Sequence, residues 1–263
     1  MIIDFHTHFY PEKIVERALA AAREKANLEP ALNGTREDLL KSMQHSGIDR
    51  AVVLPLVTQP GRGISLNNWA AENDTEPLIM LGSVHPRDEE FAETLQCAAN
   101  HRFPGIKVHP EYQSFSFDEL ELDKVWQLTA ELDMFLLTHA GEDAAFAPPF
   151  RSDQYSLLKL HKRHPQLQLV LAHGGSWKMW EEVKEVLADL KNVWFDLSFT
   201  GELLPRDEYR DLVLTLGIEN CLFGTDSPWC SQSHALELLH DLKLGSSAEE
   251  MILAGNAVKL LKI

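Results

Sequence analysis

Two histidines one residue apart, His6 and His8, stand near the start of the chain in Ile2-Ile3-Asp4-Phe5-His6-Thr7-His8. A strand turns successive side chains to opposite faces, so this spacing puts both imidazoles on one face of a short apolar strand, where they can share one metal ion. Alone, such a pair is a weak signal. Its weight comes from Lys107, His139, His173 and Asp226, each of which falls at the end of a strand-like apolar run. Imidazoles and a carboxylate suit Zn²⁺ or a similar divalent ion, and His6, His8, His139 and Asp226 would supply such a ligand set with a position left open for water. A metal so held makes hydroxide available near neutral pH. Asp226 is then placed to accept the proton of that water and later deliver it to a leaving group, and His173 to polarise a substrate carbonyl or hold the hydroxide.

The elements that must position these residues follow from the apolar pattern. After the first strand, short runs at 50–56, 78–84, 105–109, 134–138, 167–172, 193–197 and 221–225 read as buried strands. Helical periodicity at 12–24, 36–46, 65–73, 87–99, 120–132, 155–164, 177–190 and 206–216 alternates with them, and helices at 235–242 and 248–261 complete the chain. Eight strands alternating with helices, without a Gly/Ser linker or repeat, predict a single (β/α)₈ TIM barrel over residues 1–263 with an extra C-terminal helix. The active sites of such barrels lie at the C-terminal ends of the strands, where all six polar residues fall. A doubly wound sheet would want a Gly-rich turn after its first strand, and His-Thr-His-Phe-Tyr-Pro is no phosphate cradle.

At 263 residues one large core is available, and the formal charge of −16 disfavours nucleic-acid phosphates and anionic membranes as partners. No run reaches the roughly 18 apolar residues of a membrane span, so a cytoplasmic protein acting on a small molecule is expected. Cys97, Cys221 and Cys230 form neither a disulfide framework nor a thiolate zinc site.

The sequence resembles the amidohydrolase superfamily, in the amidohydrolase-related branch that includes aminocarboxymuconate semialdehyde decarboxylase. The matching pieces are Asp4–His8, Gly47–Pro55, Gly105–Pro110, Thr138–Gly141, Ala172–Gly175, Gly224–Pro228 and Gly255–Ala257, in the family's order along the whole chain. The resemblance implies that His6, His8, His139 and Asp226 are metal ligands, with Zn²⁺ the first choice and Mn²⁺ the second. It makes His173 the strand-six histidine, which binds a second metal in binuclear members and acts on substrate in mononuclear ones. Lys107 either reacts with CO₂ to form a carbamate bridging two metals or stays an ammonium that binds a substrate carboxylate; one metal per chain and a free lysine are favoured. A homodimer is compatible with the resemblance.

A lone histidine at a strand end is more often structural, but four at one end of a barrel with an aspartate reverse that. His109, two residues after Lys107, is a candidate substrate contact, as is Trp229 on the loop after strand eight. Trp126, Trp177 and Trp180 read as helical packing residues, and His45, His101, His161, His164, His234 and His240 as exposed. Asp4 shares the alternation of His6 and reads either as a partner orienting an imidazole or as a structural carboxylate. The apolar Ala144–Phe150 stretch of the 140–153 loop is a candidate lid. The expected reaction is hydrolysis of an amide, ester or lactone by metal-activated water; the alternative is non-oxidative decarboxylation of an unsaturated or aromatic acid at the same site. A phosphoesterase is disfavoured by the charge and by Lys107, and a barrel serving only as a binding module by the intact ligand set.

Overall fold

The computed structural model describes residues 1–263. Its strands are β1 (Ile3–Thr7), β2 (Arg50–Val53), β3 (Leu78–Met80), β4 (Gly82–Ser83), β5 (Gly105–Val108), β6 (Phe135–Thr138), β7 (Leu169–Leu171), β8 (Val193–Asp196) and β9 (Cys221–Leu222). All pair in parallel, in two runs, β1-β2-β3 and β4 through β9. The third expected strand is split into β3 and β4 at Leu81, whose N–H still donates to the Val53 carbonyl at 3.0 Å. Three backbone bonds then join the last strand to the first: Phe5 N–H to Phe223 O at 2.8 Å, Asp226 N–H to His6 O at 2.8 Å and His8 N–H to Ser227 O at 2.6 Å. The sheet therefore returns on itself as the eight-membered (β/α)₈ barrel that the alternation predicts.

Side-chain alternation divides the apolar residues between two cores. Ala51, Val53, Ile106, Val108, Leu136, Leu169, Leu171, Phe195 and Phe223 face outward into a 44-residue cluster shared with the helices. Ile3, Phe5, Val52, Leu54, Phe135, Leu137, Val170, Trp194 and Leu222 fill the interior, and Ala254, Ala257, Leu260 and Leu261 of the C-terminal helical segment close that 14-residue cluster. On β5, β6, β8 and the β9 run, the inward alternation carries upward from this plug to Lys107, His139, Asp196 and Asp226.

Strand β1 departs from simple alternation. Asp4 pairs with Ala51 and Thr7 with Val53, three residues against two, so a bulge intervenes. Below it Ile3 and Phe5 face the interior; above it His6 and His8 do. Asp4 is thereby separated from the face of His6. Its carboxylate, fully buried, accepts from Thr225 Oγ1 at 2.7 Å, Gln232 Nε2 at 2.8 Å and Thr225 N–H at 3.0 Å. It thus fastens β1 to the loop after β9 and touches no imidazole ring; burial pushes its pKa up to about 7 against those donors.

Most helices stand close to their expected places. Arg36–Ser46 is bounded by Thr35, whose hydroxyl accepts from Asp38 N–H, and by Gly47 at φ 70°. Arg206–Leu216 also matches. The helix expected over 177–190 begins only at Trp180, which leaves Trp177 on a loop. Short helices at Pro110–Gln113 and Thr200–Leu203 were not anticipated. His164 is buried rather than exposed, with Nε2 3.1 Å from Asp123.

Candidate metal centre and active site

At the barrel mouth, His6 Nε2 and His8 Nε2 lie 3.4 and 3.2 Å from Asp226 Oδ1. Ligand atoms of His6, His173 and Asp226 fall within 4.8 Å of one another. His139 stands next to this group, its Nδ1 3.1 Å from His173 Nε2 and its Nε2 2.7 Å from the Glu142 carbonyl. The tight trio thus contains His173, whereas the family resemblance gives the fourth ligand position to His139; the two rings meet at the same edge of the centre.

Whether a cation fits depends on which ring nitrogens are free. His6 Nδ1–H donates to Asp196 Oδ2 at 2.9 Å, and His8 Nδ1–H to the Leu54 carbonyl at 2.9 Å. Each Nε2 is left as a lone pair turned toward Asp226, the arrangement in which an outer carboxylate or carbonyl fixes a ligating histidine. Burial holds the His6 pKa well below the ordinary range, with the Lys107 charge adding to it. His139 is held low by burial and by His109 and His173, and His173 falls to about 3 through burial and the neighbouring His6. Neutral imidazoles around one carboxylate are a donor set that fits a divalent cation.

Lys107 is buried in the mouth, and burial lowers its pKa to about 8 against the pull of Asp196, Asp226 and Asp143. Its hydrogen bonding to protein runs through its backbone, whose carbonyl accepts from Ser83 Oγ at 2.9 Å. Its side-chain nitrogen makes no hydrogen bond to protein, and the charges near it are those of Asp196, Asp226 and Asp143.

A second trio, His109, His139 and Asp143, also brings its ligand atoms within 4.8 Å. Its geometry suits packing better than metal. The His109 and His139 rings stack at 4.3 Å with 10° between their planes. Parallel rings aim their in-plane lone pairs along parallel lines, so one ion cannot lie in both planes. His109 Nε2 instead pairs with Asp143 at 3.2 Å. Burial would raise the Asp143 pKa, but the His109 hydrogen bond and the nearby imidazoles outweigh it and hold the pKa low.

Aromatic rings wall the mouth. The Trp177 ring lies 5.1 Å from His173 and stacks on Phe199 at 5.1 Å, so Trp177 belongs to the site and not to helix packing. Tyr112 meets His109 edge-on at 4.7 Å, and Phe146 of the 140–153 loop meets Tyr112 at 5.0 Å. A cavity of about 430 Å³ opens against that loop, between Glu111, Ser114, Phe146, Pro149, Phe150 and Arg151. Trp229 is half-buried, its N–H closing the turn to the Asp226 carbonyl at 2.9 Å.

Sequence reasoning missed Asp196 and Ser198, although Phe195-Asp196-Leu197-Ser198 ends a strand just as the recognised residues do. Asp143 and Trp177 sit on loops, where no periodicity announces direction.

The amidohydrolase family model matches residues 3–263. No curated protein matches the chain. Among solved structures, an uncharacterized TIM-barrel protein from Bordetella bronchiseptica superposes with a TM-score of 0.80 at 20% identity, covering 99% of this chain and 98% of that one. The 5-carboxyvanillate decarboxylase of Sphingomonas paucimobilis gives 0.75 at 17% identity, covering 100% and 99%. A dihydroxybenzoic acid decarboxylase from Polaromonas, solved with manganese and the inhibitor 2-nitroresorcinol, gives 0.77 at 17% identity, covering 99% and 96%.

Proposed function

This chain belongs to the amidohydrolase family, and from that premise we propose that it is a metal-dependent decarboxylase removing CO₂ without oxidation from a flat aromatic or unsaturated carboxylic acid. The observation that carries the reading is Lys107, a buried ammonium in the mouth with no side-chain hydrogen bond to protein, facing a donor set fit for a cation. A buried cation unpaired by hydrogen bonds is costly unless an anion arrives to meet it. Two further features favour decarboxylation over the expected hydrolysis: the stacked Trp177 and Phe199 wall beside His173, which suits a planar substrate, and the reactions of the 5-carboxyvanillate and dihydroxybenzoic acid decarboxylases that share the fold.

His6, His8, His139 and Asp226 would hold the metal, with His173 beside it. Bound there, a divalent ion supplies a Lewis acid for an oxygen of the substrate. Lys107 anchors the anionic end, and the aromatic wall orients the ring and excludes water. The bond from the ring carbon to the carboxylate breaks, its electron pair stays on that carbon and takes up a proton, and CO₂ leaves. His173, held neutral by burial, offers a base at this edge that takes the proton from water and passes it to the carbon, with Asp226 beside it.

The test is a pair of substrate panels read in parallel. One holds aromatic and unsaturated acids, including 2,6-dihydroxybenzoate and 5-carboxyvanillate, scored by CO₂ release; the other holds amides, esters and lactones, scored by acid release. Turnover confined to the first panel is expected, and turnover confined to the second returns the site to hydrolysis.

A further inference from the structure

The segment Asp196-Leu197-Ser198 reaches two imidazoles from different strands at once. Ser198 Oγ lies 3.0 Å from His6 Nδ1 and 3.1 Å from His173 Nδ1. Asp196 Oδ2 lies 2.9 Å from the same His6 nitrogen, and the Asp196 Oδ1 atom accepts from Ser198 N–H at 3.0 Å, which locks the two side chains into one unit. The Ser198 carbonyl lies 3.2 Å from His173 Nδ1. All of these groups are buried.

The carboxylate and carbonyl acceptors point to one assignment for the cation-loaded centre. A carboxylate oxygen only accepts, so His6 Nδ1 carries the hydrogen; a carbonyl oxygen only accepts, so His173 Nδ1 carries one as well. The Ser198 hydroxyl oxygen, flanked by two N–H groups, is then a shared acceptor. Both Nε2 atoms are left bare, His6 toward Asp226 at 3.4 Å and His173 toward His139 Nδ1 at 3.1 Å; His139 Nε2–H donates to the Glu142 carbonyl, so that Nδ1 is bare too, and lone pairs facing at this distance need a cation at their edge.

We infer that Ser198 is a positioning residue for the reaction: with Asp196 it holds His6 and His173 in the same tautomer and at a fixed mutual orientation, acting through those rings and not on substrate. The role in turnover rests on the function proposed above; the tautomer assignment does not. The backbone around it supports such a task. His173 and Phe199 both adopt left-handed φ of 60°, and a Cβ at Gly224 would meet His6 Cβ at 3.1 Å and Ser198 Cβ at 3.4 Å, so the rings and the hydroxyl are packed without slack. Trp180 Nε1–H pins the His173 carbonyl from the other side at 2.9 Å.

The experiment compares zinc-loaded wild type with Ser198→Ala, using ¹⁵N-histidine labelling to read each ring's tautomer, metal content per chain, and kcat and KM on an acid turned over in the panel. The wild type is expected to show His6 and His173 each in the single Nδ1–H form. In the variant, His6 keeps that form through Asp196, while His173, left with the longer carbonyl contact, populates both tautomers. Metal content is retained, kcat falls about tenfold, the scale of one lost hydrogen bond at the reacting centre, and KM stays within twofold. A His173 that keeps one tautomer in the variant, or a kcat that stays within twofold, overturns the inference. Turnover of esters or lactones with the tautomer shift intact would instead count against decarboxylation alone.

Discussion

At the scale of single residues, the assignment that most needs separation is between His139 and His173, whose facing nitrogens lie 3.1 Å apart. With His139 as ligand, His139→Ala should lose most bound metal by elemental analysis, while His173→Ala keeps it and loses activity about a hundredfold, the scale of general acid–base catalysis. The reverse metal pattern would transfer the ligand role to His173. Lys107 carries a pH signature. Its pKa is lowered to about 8 by burial, so the ammonium is present below that pH and lost as pH rises through it. KM for an acidic substrate should therefore climb above about pH 8, and a Lys107→Met variant should show a raised KM without that climb. An unchanged KM in the variant would remove Lys107 as the anion's anchor. The recurrence of His6, His8, Lys107, His139, His173 and Asp226 at strand ends was legible in the sequence because the strand period of two and the barrel's polarity together fix their direction. Asp196 is harder to read because the apolar run continues through Leu197, which places it inside the expected strand 193–197 and not at its end.

Elements explain what alternation alone misjudged. The bulge in β1 separates Asp4 from the face of His6, and a bulge adds a residue without leaving a mark in the apolar pattern. Asp4 became a clasp between β1 and the loop after β9 as a result. Asp4→Ala strands the buried Thr225 and Gln232 donors and should cost roughly 3 kcal/mol of stability in denaturant unfolding; a change within about 0.5 kcal/mol would deny the clasp. Helices with clean caps, such as Arg36–Ser46 between Thr35 and Gly47, could be placed from sequence to the residue. The 140–153 loop could be placed but not aimed. Its Phe146 rests on Tyr112, which rests on His109, so the loop leans on the mouth through an aromatic chain. Changing Phe146 and Phe150 together to Ala should raise KM about tenfold, since burying aromatic surface on substrate is worth about 1.5–3 kcal/mol, while metal content stays level. Unaltered kinetics would dismiss the loop as a lid.

For the whole molecule, the order of strands and helices was readable because each strand is short, apolar and separated by an amphipathic stretch, and a chain with that rhythm has few ways to bury both faces of its sheet. The closing bonds between β1 and the run after β9, the C-terminal plug under the barrel and the aromatic wall were not readable, since each depends on contacts between residues far apart in sequence. The excess of 40 acidic over 24 basic side chains leaves an anionic molecule, so admission of the proposed anionic substrate would fall to the local field of Lys107 and a bound cation. No helix is long and apolar enough to cross a membrane. The central claim, that this mouth removes CO₂ with the help of a metal, is tested most directly by turnover in D₂O with manganese-replete and chelator-stripped protein, following the aromatic acids by NMR. The account predicts CO₂ release with one deuterium at the vacated carbon, lost on stripping and restored by manganese. CO₂ release that persists in fully stripped protein, or metal-dependent ester or lactone cleavage without CO₂, would contradict it.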